Sequence, residues 1–283
     1  MKKVISFIRR KKPMDWVRFL ATWICAAITV AILLYLVGFI LVRGIPHINA
    51  SLFSLTYTIE NQSLFPALVT TLIIVGLTLA IAVPFGVFTA IYLVEYASRG
   101  SKLVSAIRMT TETLAGIPSI VFGLFGYVFF VTWLGWGKSI LAGCFTLSIM
   151  ILPLIMRTTE ESLKSIPDAY REGSFSLGAG KLRTVIRVTL PSAMPGIFAG
   201  IILAVGRIVG ETAALLFTIG SVIKIPENLF SQGRTLALHV YTLSSQGHHR
   251  DEAYATAVIL LVVVFSINML SSTIERRFKS KTL

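Results

Sequence analysis

Apolar residues fall into six runs separated by polar intervals, at residues 16–42, 66–94, 111–133, 139–156, 192–217 and 253–274. Crossing a bilayer as a helix takes roughly 20 predominantly apolar residues, and none of the runs alternates as a strand would. The pattern predicts an all-α polytopic membrane protein with six transmembrane helices, the first of them at 16–42. Pro84 and Gly86 mark a kink in the second run, tolerable where neighbouring helices re-satisfy the backbone. The third run carries Gly116, Pro118, Gly123 and Gly126, small residues that let helices approach closely and place this span inside the bundle. Residues 135–138 read as a tight hairpin, with Trp133 and Trp136 at interfacial depth. A basic start before an apolar run also suits a signal peptide, but the first run is too long for one and no small-residue cleavage site follows.

The longest polar interval runs from Glu160 to Pro191, and it has internal pattern that a solvated linker would lack. Ser165 with Asp168 three residues on resembles a helix cap, and Pro167 suits a first turn. The helix so begun continues over Tyr170 to Leu177 and stops at Gly178, the residue type that accepts a left-handed helix end. A second helical piece follows, with Leu182, Val185, Ile186 and Thr189 on one face and Lys181, Arg183 and Arg187 on another; Pro191 closes it. Two short helices with a glycine break make a rigid knob suited to gripping a soluble partner.

Composition agrees with a membrane protein: 283 residues, 55% hydrophobic, 14% charged, mean hydropathy +0.80. The net charge of +13 does not point to nucleic acid, because the basic residues sit at the ends of apolar runs and not in an aromatic-interleaved patch. With both termini cytosolic, the inner segments, the first counted through Arg18, hold 20 Lys and Arg and the outer loops 5, which leaves Arg207 deep inside a span. That bias places residues 1–15, the interval 157–191 and the tail 275–283 in the cytosol. The first 12 residues also suit an amphipathic helix lying on anionic lipid. Cys25 and Cys144 both fall in apolar runs and read as small buried residues; no disulfide is expected.

The string Glu172-Gly173-Ser174, three residues, Gly178, nine residues, then Val188-Thr189-Leu190-Pro191 resembles the EAA loop of bacterial ABC importer permeases. The family pattern is Glu-Ala-Ala, three residues, Gly, nine residues, Ile-x-Leu-Pro. Here small residues replace the alanines and Val188 the isoleucine. The resemblance implies that the loop is the coupling helix that docks on a cytosolic ATPase, through Glu172, Gly173, Ser174, Gly178, Leu190 and Pro191. It also implies the type I (MetI-like) permease fold over residues 66–274.

The fifth run contains Arg207 and Glu211, which share a face if the helix is continuous. Ionised groups at that depth face a polar pathway or a partner. The alternatives are a structural ion pair and a site for an oxyanion, for which the planar guanidinium fork is suited. Gly206 and Gly210 would leave room for close approach. Arg207-x-x-Gly210-Glu211-Thr212-Ala213, followed by Ala214-Leu215-Leu216-Phe217-Thr218, resembles the PstA group of phosphate importer permeases. The run Gly116-Ile117-Pro118-Ser119-Ile120-Val121-Phe122-Gly123 is also similar to that group. The sister PstC group usually continues its Gly-Glu-Thr element with Met-Ala-Val. PstA members more often have proline where Ala214 stands.

The resemblance implies a substrate pathway at Arg207, Glu211 and Thr212, no cofactor, and a multi-pass position in the bacterial inner membrane. Its implied partners are a second, PstC-like permease, a PstB-like ATPase dimer that hydrolyses the ATP, and a PstS-like phosphate-binding protein. A permease for molybdate or sulfate, a passive channel and a membrane-embedded enzyme are the alternatives; the last would need clustered His, Asp or Cys that the runs lack. Metal binding by His239, His248 and His249 is set aside in favour of solvated loop histidines. Glu112 reads as a helix-end charge. No Gly-Lys-Ser/Thr follows the glycines at 178–180, so no phosphate loop is expected.

Overall fold

A computed structural model describes residues 13–58, 61–98, 100–247 and 249–279, and among these every regular element is helical. In chain order the helices are α1 (Pro13–Gly44), α2 (Phe65–Tyr96), α3 (Lys102–Ala115), α4 (Ser119–Trp133) and α5 (Ile140–Lys164). They continue as α6 (Asp168–Ser176), α7 (Lys181–Val209), α8 (Ala213–Thr218), α9 (Leu236–Gln246) and α10 (Arg250–Lys279). Five of them, α1, α2, α5, α7 and α10, are long and apolar enough to cross a membrane, and the bent pair α3–α4 makes up to six. The first 12 residues, His248 and residues 280–283 lie outside the described residues.

Two of the expected straight spans are broken. The third turns through 103° between α3 and α4, where Pro118 takes an extended conformation (ψ 143°) and cannot continue the helix. The fifth ends at Val209, and α8 starts after a three-residue gap. Two others reach further than expected. α5 continues eight residues past Met156 to Lys164, and α7 runs from Lys181 straight into the membrane. Pro191 therefore does not end a helix. A π-turn at Val185–Thr189, with Leu190 N–H donating to Val185 O, widens the backbone just before the proline ring that would otherwise crowd the turn below it.

The core lies where α2, α4, α5, α7 and α8 meet, around Ile74, Phe122, Leu147, Ile151, Ile208 and Leu215. In lipid, apolar burial does not drive helix association, so close contact and small residues must. A Cβ on Gly123 of α4 would lie 2.8 Å from the Ala214 Cα of α8, and one on Gly86 of α2 would lie 2.7 Å from Ile155 Cγ2 of α5. On α7, Gly196 and Gly200, four residues apart, sit directly against the side chains of Ser162 and Thr158 on α5. The helix α2 continues through Pro84. Cys144 is buried as expected, whereas Cys25 is exposed on α1. Over residues 16–36 α1 is exposed throughout, and it docks on α10 near its own C-terminal end, where Gly44 abuts Tyr254 and Phe39 packs edge-on against the Tyr254 ring.

Candidate functional site

The polar interval contains the expected two-helix knob. α6 covers Asp168–Ser176, and Gly178 adopts φ +80°, which a side-chain-bearing residue would strain. Gly178 N–H donates to Phe175 O (2.9 Å) and Ala179 N–H to Ser174 O (3.1 Å), closing the helix end. Ser174 Oγ lies 2.9 Å from Thr184 Oγ1, so the second small residue of the motif bonds α6 to the start of α7. Glu172 and Gly173 are exposed, and a Cβ on Gly173 would meet nothing within 4 Å. Leu190 and Pro191 are half-buried at the point where α7 enters the bundle. The tip of the knob is apolar: Leu177 is 91% exposed, and Tyr170, Leu182 and Ile186 are exposed beside it. Ser165 does not cap α6. It ends α5, its hydroxyl donates to Ser162 O, and Pro167 precedes Asp168 with no side-chain cap.

Arg171, which the motif spacing did not single out, ties the knob to the bundle. Its Nε and Nη2 donate to Glu95 Oε1 (3.1 and 2.9 Å), Nη2 also to Leu163 O (3.0 Å), and Nη1 to Ile166 O (3.0 Å) and Asp168 Oδ1 (3.1 Å). Nearby, Glu160 accepts from Arg108 of α3 (2.7 Å) and Lys164 (2.6 Å). Glu112 lines the same recess near the end of α3.

At the other membrane-embedded candidate, Arg207 and Glu211 part company. Arg207 lies in the last turn of α7, exposed to an open groove lined by Leu154 of α5, Ile202 and Leu203 of α7 and Asn268 of α10. Gly206 leaves the helix surface open beside it. Glu211 follows the helix end, is 8% exposed, and accepts from the Ala214 backbone N–H at 3.0 Å. It therefore fixes the start of α8, where an anion is favoured by the unpaired N–H groups. Among the described residues no ion pair joins the two, so the shared helix face does not exist. Thr212 sits half-buried in the turn between the helices.

The interval 218–250 is not the solvated loop expected. It contains α9, and His239 within it is fully buried. Arg234 Nη1 donates toward His239 Nδ1 (3.5 Å) and Nη2 to Ser221 O (2.5 Å), while the Tyr57 ring packs edge-on at 6.3 Å. Burial, then the Arg234 charge, holds His239 down to about 4. Among the described residues no cluster of three His, Cys, Asp or Glu could hold a metal.

Residues 82–282 match the family described as binding-protein-dependent transport system inner membrane component. The chain belongs to that family. Among relatives of this inner-membrane component is the probable ABC transporter permease protein YqgI of Bacillus subtilis, 34% identical over 87% of this chain and 90% of that protein. Another is the phosphate transport system permease protein PstA 1 of Mycobacterium tuberculosis, 36% identical over 75% of this chain and 70% of the relative. A third, the PstA of Haemophilus influenzae, is 32% identical over 81% and 82%. Among solved structures, a bacterial alginate ABC transporter in complex with an alginate pentasaccharide-bound periplasmic protein superposes with a TM-score of 0.72 at 19% identity, covering 93% of this chain and 95% of that one. The MetNI methionine ABC transporter gives 0.62 at 22% identity, over 76% and 94%. These likenesses are of fold. The inner-membrane component is thus a multi-pass permease of the MetI-like architecture, a transport subunit and not the ATP-hydrolysing one.

Proposed function

We infer that the chain is a permease subunit of an ATP-driven phosphate importer, forming half of the translocation pathway beside a second, PstC-like permease. Similarity to several PstA proteins supports the substrate. The observation that carries the pathway is Arg207: a charged fork exposed to an apolar groove at the end of a membrane helix, in no ion pair with a carboxylate among the described residues. A cation so placed costs a few kcal/mol on insertion scales, and an oxyanion passing in a low-dielectric groove offsets that cost through two parallel hydrogen bonds. Glu211 acts differently, setting α8 and the Thr212 turn so that the helix end stays open. On the opposite side the exposed knob, with Glu172 and Gly178 shaping it and Leu190–Pro191 leading into α7, docks a PstB-like ATPase dimer in the cytosol. A PstS-like binding protein delivers phosphate from outside.

Uptake of radiolabelled phosphate tests the pathway. Arg207→Gln should abolish uptake while the subunit still inserts and assembles, and Arg207→Lys should restore only part of it because the planar fork is missing. Joint replacement of Arg207 and Glu211 by Gln should stay inactive. Recovery in that double variant would assign the arginine a purely structural role.

A further inference from the structure

We propose that Arg171 is the positioning residue that makes the docking knob and spans α2 and α5 move as one body, so that ATPase motion reaches the pathway. This rests on reading residues 157–191 as the docking segment. The guanidinium has five N–H donors, and all five are used. Two go to Glu95 at the end of α2, two to the carbonyls of Leu163 and Ile166 where α5 ends, and one to Asp168 at the start of α6. The side chains of Arg171 and Glu95 are 14% and 6% exposed, so the pair is shielded from salt and water. Carbonyls at a helix C-terminus lack internal partners and favour a cation, which explains why this position is occupied by an arginine and not by a lysine. Lys181 adds a weaker tie, its Nζ lying 5.1 Å from the Tyr96 ring of α2.

The consequence is mechanical. α2 and α5 are locked along their length, with Ser148 Oγ donating to Thr78 O (3.3 Å) and Gly86 set against Ile155. α5 in turn abuts α7 at Gly196 and Gly200 and lends Leu154 to the Arg207 groove. A displacement of α6 therefore reaches α2 and α5 through Arg171 and the groove from its α5 wall, so that this wall moves together with the continuous α7 that carries Arg207. Without the clasp, the knob keeps its own hydrogen bonds between α6 and α7 and still offers its apolar tip to the ATPase.

The experiment uses the complete importer in proteoliposomes and measures phosphate transported per ATP hydrolysed, with retention of the ATPase as the assembly control. Arg171→Gln and Glu95→Gln should each lower that ratio on the order of tenfold while the ATPase stays bound and hydrolysis continues. Arg171→Lys should fall between, since its three donors on a single nitrogen cannot reproduce the five bonds of the planar fork. If Arg171→Gln does not assemble, Glu95→Gln decides, because it cuts the tie to α2 and leaves the carbonyl bonds in place. An unchanged ratio in assembled complexes overturns the proposal, as does loss of the ATPase from Glu95→Gln. Failure of the unsubstituted chain to retain an ATPase overturns the docking reading itself.

Discussion

His239 is fully buried with a cation beside it, and the two cannot both be charged cheaply. Since arginine has no lone pair to offer, Nδ1 accepts from Arg234 and the ring is neutral. Its folded value of about 4 lies below the ordinary 6.5. As pH falls through 6.5 the unfolded chain takes up the proton first, so stability present above that value is lost down to about 4 and is flat below. Melting of the purified protein should therefore drop between pH 7 and 4.5 by more in the parent than in His239→Gln; equal slopes would show that another group titrates. Little of this was legible locally: Arg234 lies only five residues before His239, but the ring that covers it, Tyr57, comes from a distant segment, and a polar stretch carries no mark of what covers it. The Arg207–Glu211 spacing misled for a related reason. The four-residue rule holds only on an unbroken helix, and with Gly210 in between, the Glu211 carboxylate gains more by holding the Ala214 N–H.

Among the elements, long apolar runs announced α1, α2, α5 and α10 directly, and the motif spacing announced the knob with its left-handed Gly178. Breaks were harder to see. Pro118 turns the third span by 103°, yet Pro84 lies inside an unbroken α2 and Pro191 inside α7; the difference is tertiary support and a widened turn, neither written in the local sequence. The small residues did carry the packing. Gly123 faces backbone at Ala214, which cannot swing aside, so Gly123→Ala should push α4 from α8 and destabilise by about 1–3 kcal/mol. Gly76→Ala in α2, where a Cβ meets nothing within 4 Å, should be neutral or slightly stabilising, since alanine is the better helix former by about 1 kcal/mol. Thermal unfolding of both variants in one detergent separates close packing from backbone propensity, and equal shifts would discount the contact.

For the whole molecule, the proposed orientation follows the charge asymmetry, and it predicts the knob on the cytosolic side and α9 outside. In a chain freed of Cys25 and Cys144, a cysteine at Ser176 should react with an impermeant maleimide only from the cytosol, and one at Ser231 only from outside. Reaction of the first from outside would reverse the orientation and remove the ATPase contact. The exposed length of α1 has a consequence for how the protein is made. Its apolar window has a mean hydropathy of 2.8 and none of it is buried against the rest of the chain, so it can be stable in lipid before any later residue has been synthesised. The helices α4 and α8 are the opposite case: their close contact through Gly123 needs both, and α8 emerges from the ribosome 80 residues after α4 has finished. Insertion of a self-sufficient α1 can thus precede the packing of the bent centre of the bundle, which must wait for α8.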